Sequence, residues 1–342
     1  MRQLRRAAFF LFLFFTSLTL AHGQQAATEA AVSGLNGMIL CDHPQAKNGK
    51  LAQSVCTGSF SDPNGLYSGA AASGAFASSK GLGINGSVAV VRADNGPAIQ
   101  MGIVATADFD DELTVVNAGD SPFLFIASGM AAGPGGISQA TVYEQINLIY
   151  SNTSAQCVTQ TLPPSSCSVL LAVPTGSPAQ MQIILIGQAE VVCGPPSCGG
   201  GEASIDLGYK EPGGGQILIV KVVDSSGNPI RGATVNSTSG HKYPSLFAST
   251  IALNASPNPS AQGQLVAFTA TISSFGRSST PTGRVTFKDS TTGATLGHAA
   301  LVAGVATLST SSLASGTHTI QANYSGDEWS ASSRTTVSQV VN

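Results

Sequence analysis

The sequence predicts an all-β protein built from two β-sandwich domains, a larger one followed by a smaller one. Short apolar runs are separated by clusters of Gly, Pro, Asn and Asp, which is the pattern of strands joined by turns. Beyond the N-terminal segment, no stretch keeps a helical period of apolar residues over three turns. The length of 342 residues is enough for two domains of ordinary size.

Composition excludes two broad classes of protein. Hydrophobic residues make up 42% of the chain, so wholesale disorder is not expected. Only 10% of residues are charged, and 15 Lys and Arg against 18 Asp and Glu give a net charge of −3. No basic run follows the first six residues, which excludes a basic nucleic-acid-binding protein.

The N-terminus has the pattern of an export signal. Three arginines within the first six residues precede a stretch at 7–21 that is rich in Phe and Leu. This stretch is shorter than the ~20 residues that a membrane-spanning helix needs, so we predict a signal peptide at 1–23. Cleavage is expected before Gln24, with cleavage after Ala21 or an uncleaved anchor as alternatives. We expect the mature chain to be extracellular or on the cell surface, and to interact with the membrane only during export.

Cysteine usage agrees with export. An even number of cysteines in an oxidising compartment predicts disulfides, and pairing of sequence neighbours is the simplest arrangement, although six cysteines permit 15 connectivities. The predicted bridges are Cys41–Cys56, Cys157–Cys167 and Cys193–Cys198. The alternative is a zinc site using Cys41, His43 and Cys56, for which no fourth ligand is evident.

The larger domain is predicted at 31–243, as a jelly-roll-like sandwich. Its boundary falls near residues 239–249, where Ser239–Ser245 contains a proline and lacks a strand pattern. Its clearest apolar runs lie at 87–91, 98–104, 113–116, 123–126, 139–150, 181–192 and 216–223.

The smaller domain is predicted at 248–342, the size of one seven-stranded sandwich. Its predicted strands lie at 248–254, 264–273, 283–288, 294–298, 303–310, 317–324 and 334–341.

Five motifs of this smaller domain occur in the order typical of a known family. They are Ala255–Ser260, Gly263–Ala270, Pro281–Phe287, Leu308–His318 and Tyr324–Asp327. With them, residues 248–342 resemble a bacterial immunoglobulin-like repeat domain, a module of surface-exposed and secreted bacterial proteins. The resemblance implies a spacer or adhesion module without an active site.

Residues 60–243 also resemble a known class of exported protein. The resemblance is carried by Gly65–Ser79, Ala105–Val115, Gly201–Leu207 and Asp224–Val235. These segments resemble the β-sandwich ectodomains of exported bacterial proteins that end in a PEP-CTERM sorting tail. The sequence ends at Asn342 without that tail, so anchoring by this route is not expected. The turn within Asp224–Val235 also occurs in other bacterial extracellular β modules.

No catalytic motif is present in the sequence. A nucleophile elbow, a His-Glu-x-x-His pair and a phosphate-binding loop are all missing. The histidines after residue 23 are scattered: His43, His241, His298 and His318. His318 begins a strand where immunoglobulin-like folds place a corner residue that bonds back to the chain, so we expect it to be structural. We predict no catalytic residue and no cofactor.

Acidic residues cluster at Asp108, Asp110, Asp111 and Glu112. Oxygen-rich clusters of this kind can hold Ca²⁺, which makes these four the candidate metal ligands. In a strand, however, alternation places Asp111 on the face opposite the other three, and a solvated strand face is the simpler interpretation.

The leading functional hypothesis is a non-enzymatic structural or adhesion protein whose partner is an unknown surface protein or polysaccharide. The alternative is a carbohydrate-binding module, with Ca²⁺ at the acidic cluster, and an unrecognised secreted hydrolase is third. Sugar-binding surfaces usually expose aromatic rings. The single tryptophan, Trp329, lies in a loop where the resembling family carries a bulky core-covering residue, so we expect it to be structural.

Overall fold

The computed structural model describes most of the chain from residue 24 onward. The described residues are 24–33, 38–42, 45–47, 51–78, 81–92, 98–119, 121–130, 137–160, 165–193, 201–207, 216–274 and 280–342. The predicted signal peptide at 1–23 lies outside them. Within these ranges the regular structure is entirely β, which confirms the predicted fold class. The same residues contain no helix long and apolar enough to cross a membrane.

Sixteen of the described strands precede the smaller domain. In chain order they are β1 Gln24–Ser33, β2 Met38–Asp42, β3 Gln45–Lys47, β4 Leu51–Ser61, β5 Tyr67–Ser78, β6 Gly81–Arg92, β7 Ile99–Val116, β8 Phe123–Met130, β9 Ile137–Ser138, β10 Ala140–Tyr150, β11 Thr153–Thr159, β12 Ser165–Ala172, β13 Pro178–Cys193, β14 Gly201–Leu207, β15 Gln216–Val223 and β16 Thr234–Ser237.

These strands form a sandwich of two layers. One layer is an eight-stranded sheet with the order β11-β10-β13-β7-β1-β2, in which β16 also pairs with β7 and β3 with β1. The opposite layer consists of a five-stranded sheet, β4-β5-β6-β14-β9, and a three-stranded sheet, β12-β8-β15. The inward side chains of both layers form one continuous core. We call this part of the molecule the first region.

The long strand β7 differs from the prediction of two separate strands at 98–104 and 113–116. It runs without interruption from Ile99 to Val116, because the acidic residues between the two apolar runs continue the alternation. The inward positions on this segment include Phe109, Asp111 and Leu113, all buried. An acidic segment therefore lies in the middle of the eight-stranded sheet.

The smaller domain contains all seven predicted strands, with ends displaced by only a residue or two. They are β17 Ser249–Ser256, β18 Val266–Ser274, β19 Arg284–Asp289, β20 Thr295–Ala300, β21 Val305–Thr310, β22 Gly316–Tyr324 and β23 Ser333–Val341. They form a three-stranded sheet, β17-β18-β21, packed on a four-stranded sheet, β20-β19-β22-β23. The core between these sheets is built around Phe268, Phe287 and Tyr324.

Candidate functional site

The acidic cluster of β7 is divided between the two faces of its sheet, as alternation predicts. On the outer face, Asp108 accepts a hydrogen bond from Gln182, and Glu112 accepts one from Gln180. Asp111 points inward and is buried. The four Ca²⁺ candidates, Asp108, Asp110, Asp111 and Glu112, are therefore not brought together around one point. Among the described residues, no group of three or more His, Cys, Asp or Glu side chains is placed to hold a metal ion.

Asp108 is the most unusual carboxylate of the cluster. Only 2% of it is exposed, so the expectation of a solvated side chain is wrong at this position. Its Oδ2 atom accepts a hydrogen bond of 3.3 Å from Gln182, and its Oδ1 atom has no partner. Burial, and to a smaller extent the nearby charge of Asp110, raises the pKa of Asp108 to about 7.

A chain of hydrogen bonds crosses the outer face of the same sheet and ends at Asp108. The Tyr143 hydroxyl donates to Gln145 at 2.9 Å, and the Gln145 amide donates to Asn147 at 2.9 Å. Asn147 donates to Gln182 at 3.0 Å, and Gln182 donates to Asp108. We call these five side chains the amide ladder. Every donor points in the same direction, toward a carboxylate.

The ladder arises from strand alternation and register. Tyr143, Gln145 and Asn147 alternate along β10 with buried residues, so all three project outward. Gln182 lies directly opposite Asn147 in the pairing of β10 with β13. The sequence prediction treated 139–150 only as an apolar run and missed this outward polar set. The repeated polar residue at every second position was the signal that could have found it.

A cleft of about 400 Å³ lies at one end of this surface. It is lined by Gln139, Ala140, Thr141, Gln188, Glu190 and Val192. Partial burial raises the pKa of the Glu190 carboxyl above its ordinary value. Between the cleft and the ladder, β13 presents two half-buried aliphatic side chains, Ile184 and Ile186. We call the outward residues of β10 from Thr141 to Asn147 and of β13 from Gln180 to Glu190 the amide face.

The inward carboxylate Asp111 anchors the segment that follows β16. It accepts hydrogen bonds from the Ser239 amide at 3.0 Å, the Ser239 hydroxyl at 2.6 Å and the Tyr243 hydroxyl at 2.5 Å. Burial and the neighbouring Asp111 raise the pKa of Tyr243, which keeps its hydroxyl protonated as a donor. The Val220 amide also donates to the Pro244 carbonyl at 3.0 Å. The connector to the smaller domain is therefore tied to the first region.

Trp329 packs between the two parts of the molecule. Its ring meets Phe125 of β8 edge-on, with 5.1 Å between ring centroids. The Lys221 ammonium of β15 lies 4.5 Å from the centre of the same ring and donates to the Glu328 carbonyl. The prediction of a structural role thus agrees with this geometry, but the aromatic partner belongs to the first region.

Phe247 completes this contact. It is buried together with Ala127 and Ile219, both on the outer face of the three-stranded sheet. Its amide donates to the Trp329 carbonyl at 2.8 Å, and the Ala331 amide donates to the Phe247 carbonyl at 2.8 Å. The nearly continuous apolar run of β15 is thereby explained, because both of its faces are covered. We call Phe125, Lys221, Phe247 and Trp329, with the residues they bury, the interdomain contact.

One of the three predicted disulfides is present among the described side chains. Cys157 of β11 and Cys167 of β12 are bonded. Cys56 and Cys193 are also disulfide-bonded. The side chains of Cys41 and Cys198, their predicted partners, lie outside the described residues, as does His43 of the alternative zinc site. Only the Cys157–Cys167 pairing is therefore confirmed.

His318 holds a corner of the smaller domain. Its Nε2 atom donates to the Ala314 carbonyl at 2.9 Å, and its Nδ1 atom lies 2.8 Å from an Asp289 oxygen. The bond back to the chain four residues upstream agrees with the expected structural role. His298, by contrast, is exposed and contacts Thr286 within its own sheet.

Comparison with known proteins identifies the smaller domain. Residues 253–342 match the family model of the bacterial Ig-like domain (group 3). The C-terminal sandwich is therefore a bacterial Ig-like domain, which confirms the resemblance for this segment. No curated protein matches the chain, and the resemblance of 60–243 to PEP-CTERM ectodomains stays a prediction.

Solved structures give only distant likenesses. The BSP domain of a biofilm-associated protein is 10% identical, with a TM-score of 0.22, covering 76% of this chain and 60% of that one. The glycoside hydrolase domain of Endo-D from Streptococcus pneumoniae R6 is 11% identical, with a TM-score of 0.19, covering 84% and 37%. The ectodomain of mouse nectin-like molecule 4 is 10% identical, with a TM-score of 0.19, covering 93% and 94%. At such TM-scores none of these likenesses supports an argument about function.

Proposed function

We propose that this chain is a secreted or cell-surface adhesion protein without enzymatic activity, in which the Ig-like domain carries the first region as the binding module. The Ig-like domain supports a place outside the cell, since this module belongs to surface-exposed and secreted bacterial proteins. The bridge between Cys157 and Cys167 supports the same location, because disulfides persist in oxidising compartments.

The interdomain contact is the observation that carries the proposal. A flexible spacer would leave its neighbour free to turn, whereas here Trp329 and Phe247 are buried against the first region. The connector is fixed a second time where Ser239 and Tyr243 bond to Asp111. Two separate attachments hold the amide face at a constant orientation to the Ig-like domain. A protein that displays a binding surface to a partner requires such a fixed orientation.

The non-enzymatic assignment is supported by the structural roles of three described carboxylates, Asp111, Asp224 and Asp289. Asp111 anchors the connector, and Asp289 pairs with His318. Asp224 organises a turn by accepting from the amides of Ser226 and Asn228. Each of these groups has a structural task that accounts for its position.

The rigid arrangement can be tested with Trp329→Ala in the mature chain. We expect a larger radius of gyration in small-angle scattering and faster proteolysis of the connector, because the aromatic and cation–π contacts are lost. Val302→Ala is the control, since this side chain is 76% exposed on the same domain. Identical scattering from Trp329→Ala and the unchanged protein would contradict the rigid arrangement.

The adhesion function is tested by retention of the mature chain on isolated bacterial envelopes and insoluble polysaccharides. Retention without release of any hydrolysis product is expected. Lack of retention on every surface, or hydrolysis of a polysaccharide or ester by the purified chain, would overturn the proposal.

A carbohydrate-binding module is the second candidate function, and the amide face is the observation that favours it. Outward amide and hydroxyl groups in a fixed row are suited to sugar hydroxyls, which both donate and accept hydrogen bonds. This candidate is compatible with adhesion, because binding of an extracellular polysaccharide is one form of it.

A further inference from the structure

The amide face is open and extended. Its side chains on β10 and β13 are half-buried or exposed, while the alternating residues between them are buried in the core. From Gln180 to Glu190 the strand rises by about 33 Å, at ~3.3 Å per residue. The face is therefore long enough for several units of a linear polymer to lie along it.

The hydrogen-bonding groups of this face are partly committed and partly available. Each ladder amide uses one N–H toward its neighbour, which leaves it a second N–H and a further lone pair on its oxygen. The bonds within the ladder hold these remaining groups in fixed positions, so binding would cost little side-chain entropy. The aliphatic side chains of Ile184 and Ile186 lie beside them and offer an apolar strip to the C–H face of a sugar ring.

The charge on and beside the amide face determines which charge its ligand can carry. The amide face itself carries the carboxylate of Glu190, and the outward residues of the adjacent strand β7 add those of Asp110 and Glu112, with Asp108 buried below them. The strands β7, β10 and β13 contain no Lys or Arg at any position. A ligand with positive charge is complementary to this surface, and one with negative charge is excluded by repulsion.

Strand pairing favours a polysaccharide over a basic peptide as the ligand of the amide face. Extended peptides commonly bind by adding a strand to a free sheet edge. Both edges of β10 are paired, with β11 and β13, and both edges of β13 are paired, with β10 and β7. The amide face therefore offers side chains rather than backbone groups, which suits a polymer recognised through hydroxyl and amino groups.

We propose that the amide face binds a linear polysaccharide that carries free amino groups, with Gln145, Asn147 and Gln182 contacting its hydroxyls and Glu190 contacting an ammonium. The inference rests on the proposed adhesion function and names the ligand class for it.

The test uses the complete mature chain and three probes in isothermal titration. The probes are a β-linked glucosamine hexamer with free amines, the corresponding N-acetylated hexamer, and poly-lysine of similar charge. We expect the amine-bearing hexamer to bind at least tenfold more tightly than either of the others, a difference of about 1.4 kcal/mol.

Two variants locate the site. The double variant Gln145→Ala/Asn147→Ala is expected to weaken hexamer binding by about tenfold or more. Its matched control is Gln321→Ala/Asn323→Ala, which removes a similar amide pair from a sheet of the Ig-like domain. Glu190→Gln changes an exposed side chain, so it keeps the fold and tests the charge even where the double variant is destabilised.

Failure of the proposed ligand class can be distinguished from failure of the adhesion function. Equal binding of poly-lysine would overturn the inference, since simple charge attraction would then explain the result. Unchanged hexamer binding in Glu190→Gln and the double variant would also overturn it. Retention on envelopes without binding of the hexamer would overturn the ligand class and leave the adhesion function standing, whereas loss of both would overturn both.

Discussion

The Ig-like core and the part of the first region around strand β5 are filled by side chains of different size. The Ig-like core depends on large rings, with Phe268 and Phe287 fully buried and Tyr324 nearly so. In the first region, β5 brings the small residues Ala71, Ala75 and Ala77 into the sandwich. On the opposite face of the same sheet, the ring of Phe76 lies over Gly83 of the paired strand β6. The Ig-like core is therefore sensitive to removal of a large side chain, and the pairing of β5 with β6 is sensitive to an added one.

The largest effect is expected from Phe268→Ala in the Ig-like domain. Removal of a fully buried ring costs about 3–5 kcal/mol of unfolding free energy, through lost transfer energy and the cavity left behind. Fluorescence of Trp329, the only tryptophan, can follow the unfolding in denaturant. The control Leu265→Ala lies just before the same strand and is 62% exposed, so it should be nearly neutral. Similar losses in both variants would contradict the difference between core and surface.

Buried charge is also handled differently in the two regions. In the Ig-like domain, Asp289 is buried with His318 beside it and further bonds from Thr291 and Thr292. In the first region, Asp108 is equally buried, but one oxygen has no partner and the other has a long bond. The paired carboxylate has a lowered pKa and the poorly paired one a raised pKa.

Asp108→Asn is therefore expected to stabilise the first region at alkaline pH. The folded pKa of about 7 lies above the ordinary value of 3.8, so the stability that protonated Asp108 contributes is lost as pH rises between these values. At pH 8 the gain on replacement should be on the order of 4 kcal/mol, since the two pKa values differ by about three pH units at about 1.4 kcal/mol each, and it should be smaller at pH 5.

The measurement is thermal unfolding of both proteins at pH 5 and pH 8. Glu202→Gln serves as the control, because this carboxylate is exposed on β14 of the first region. A gain that is the same at both pH values would contradict a desolvated carboxylate as its cause.

A smaller loss is expected from Gly83→Ala in the first region. An added Cβ at this position would lie 2.1 Å from the Phe76 ring, which is buried and has little room to move. Overpacking of this kind costs about 1–3 kcal/mol. Combining the change with Phe76→Leu should recover part of the loss, and additive losses in the double variant would contradict the proposed contact.

Strand positions were also predicted more accurately in the Ig-like domain than in the first region. In the Ig-like domain, strands such as β18 alternate large apolar and polar residues, and their positions were predicted nearly residue by residue. Strand β5 was missed because its Ala, Gly and Ser residues carry no strong strand preference. It is a strand because it pairs along its whole length with β4 and β6.

The candidate site was predictable only in part. Alternation correctly separated Asp111 from Asp108 and Glu112, since the period of two is a local property of any strand. The link from Asn147 to Gln182 depends on the register of β10 with β13, two strands far apart in sequence. The tie between Asp111 and Tyr243 also joins distant segments. Long-range contacts of this kind leave no local pattern to recognise.

The smallest effect is expected in the pH profile of the Ig-like domain. His318 can donate to both Ala314 and Asp289 only when its ring is protonated, and these bonds raise its pKa above 6.5 although burial opposes them. Its contribution to stability is therefore complete below that value and is lost as pH rises through the raised pKa. Asp289, whose pKa is lowered below 3.8 by its hydrogen bonds against the opposing effect of burial, contributes above that value and loses its contribution as pH falls. Stability should be highest between these limits, and the alkaline loss should be about 1 kcal/mol, the size of one net hydrogen bond. His318→Gln should remove the alkaline fall in melting temperature, while the exposed control His298→Gln should retain it. An alkaline fall that persists in His318→Gln would show that the pair is not its source.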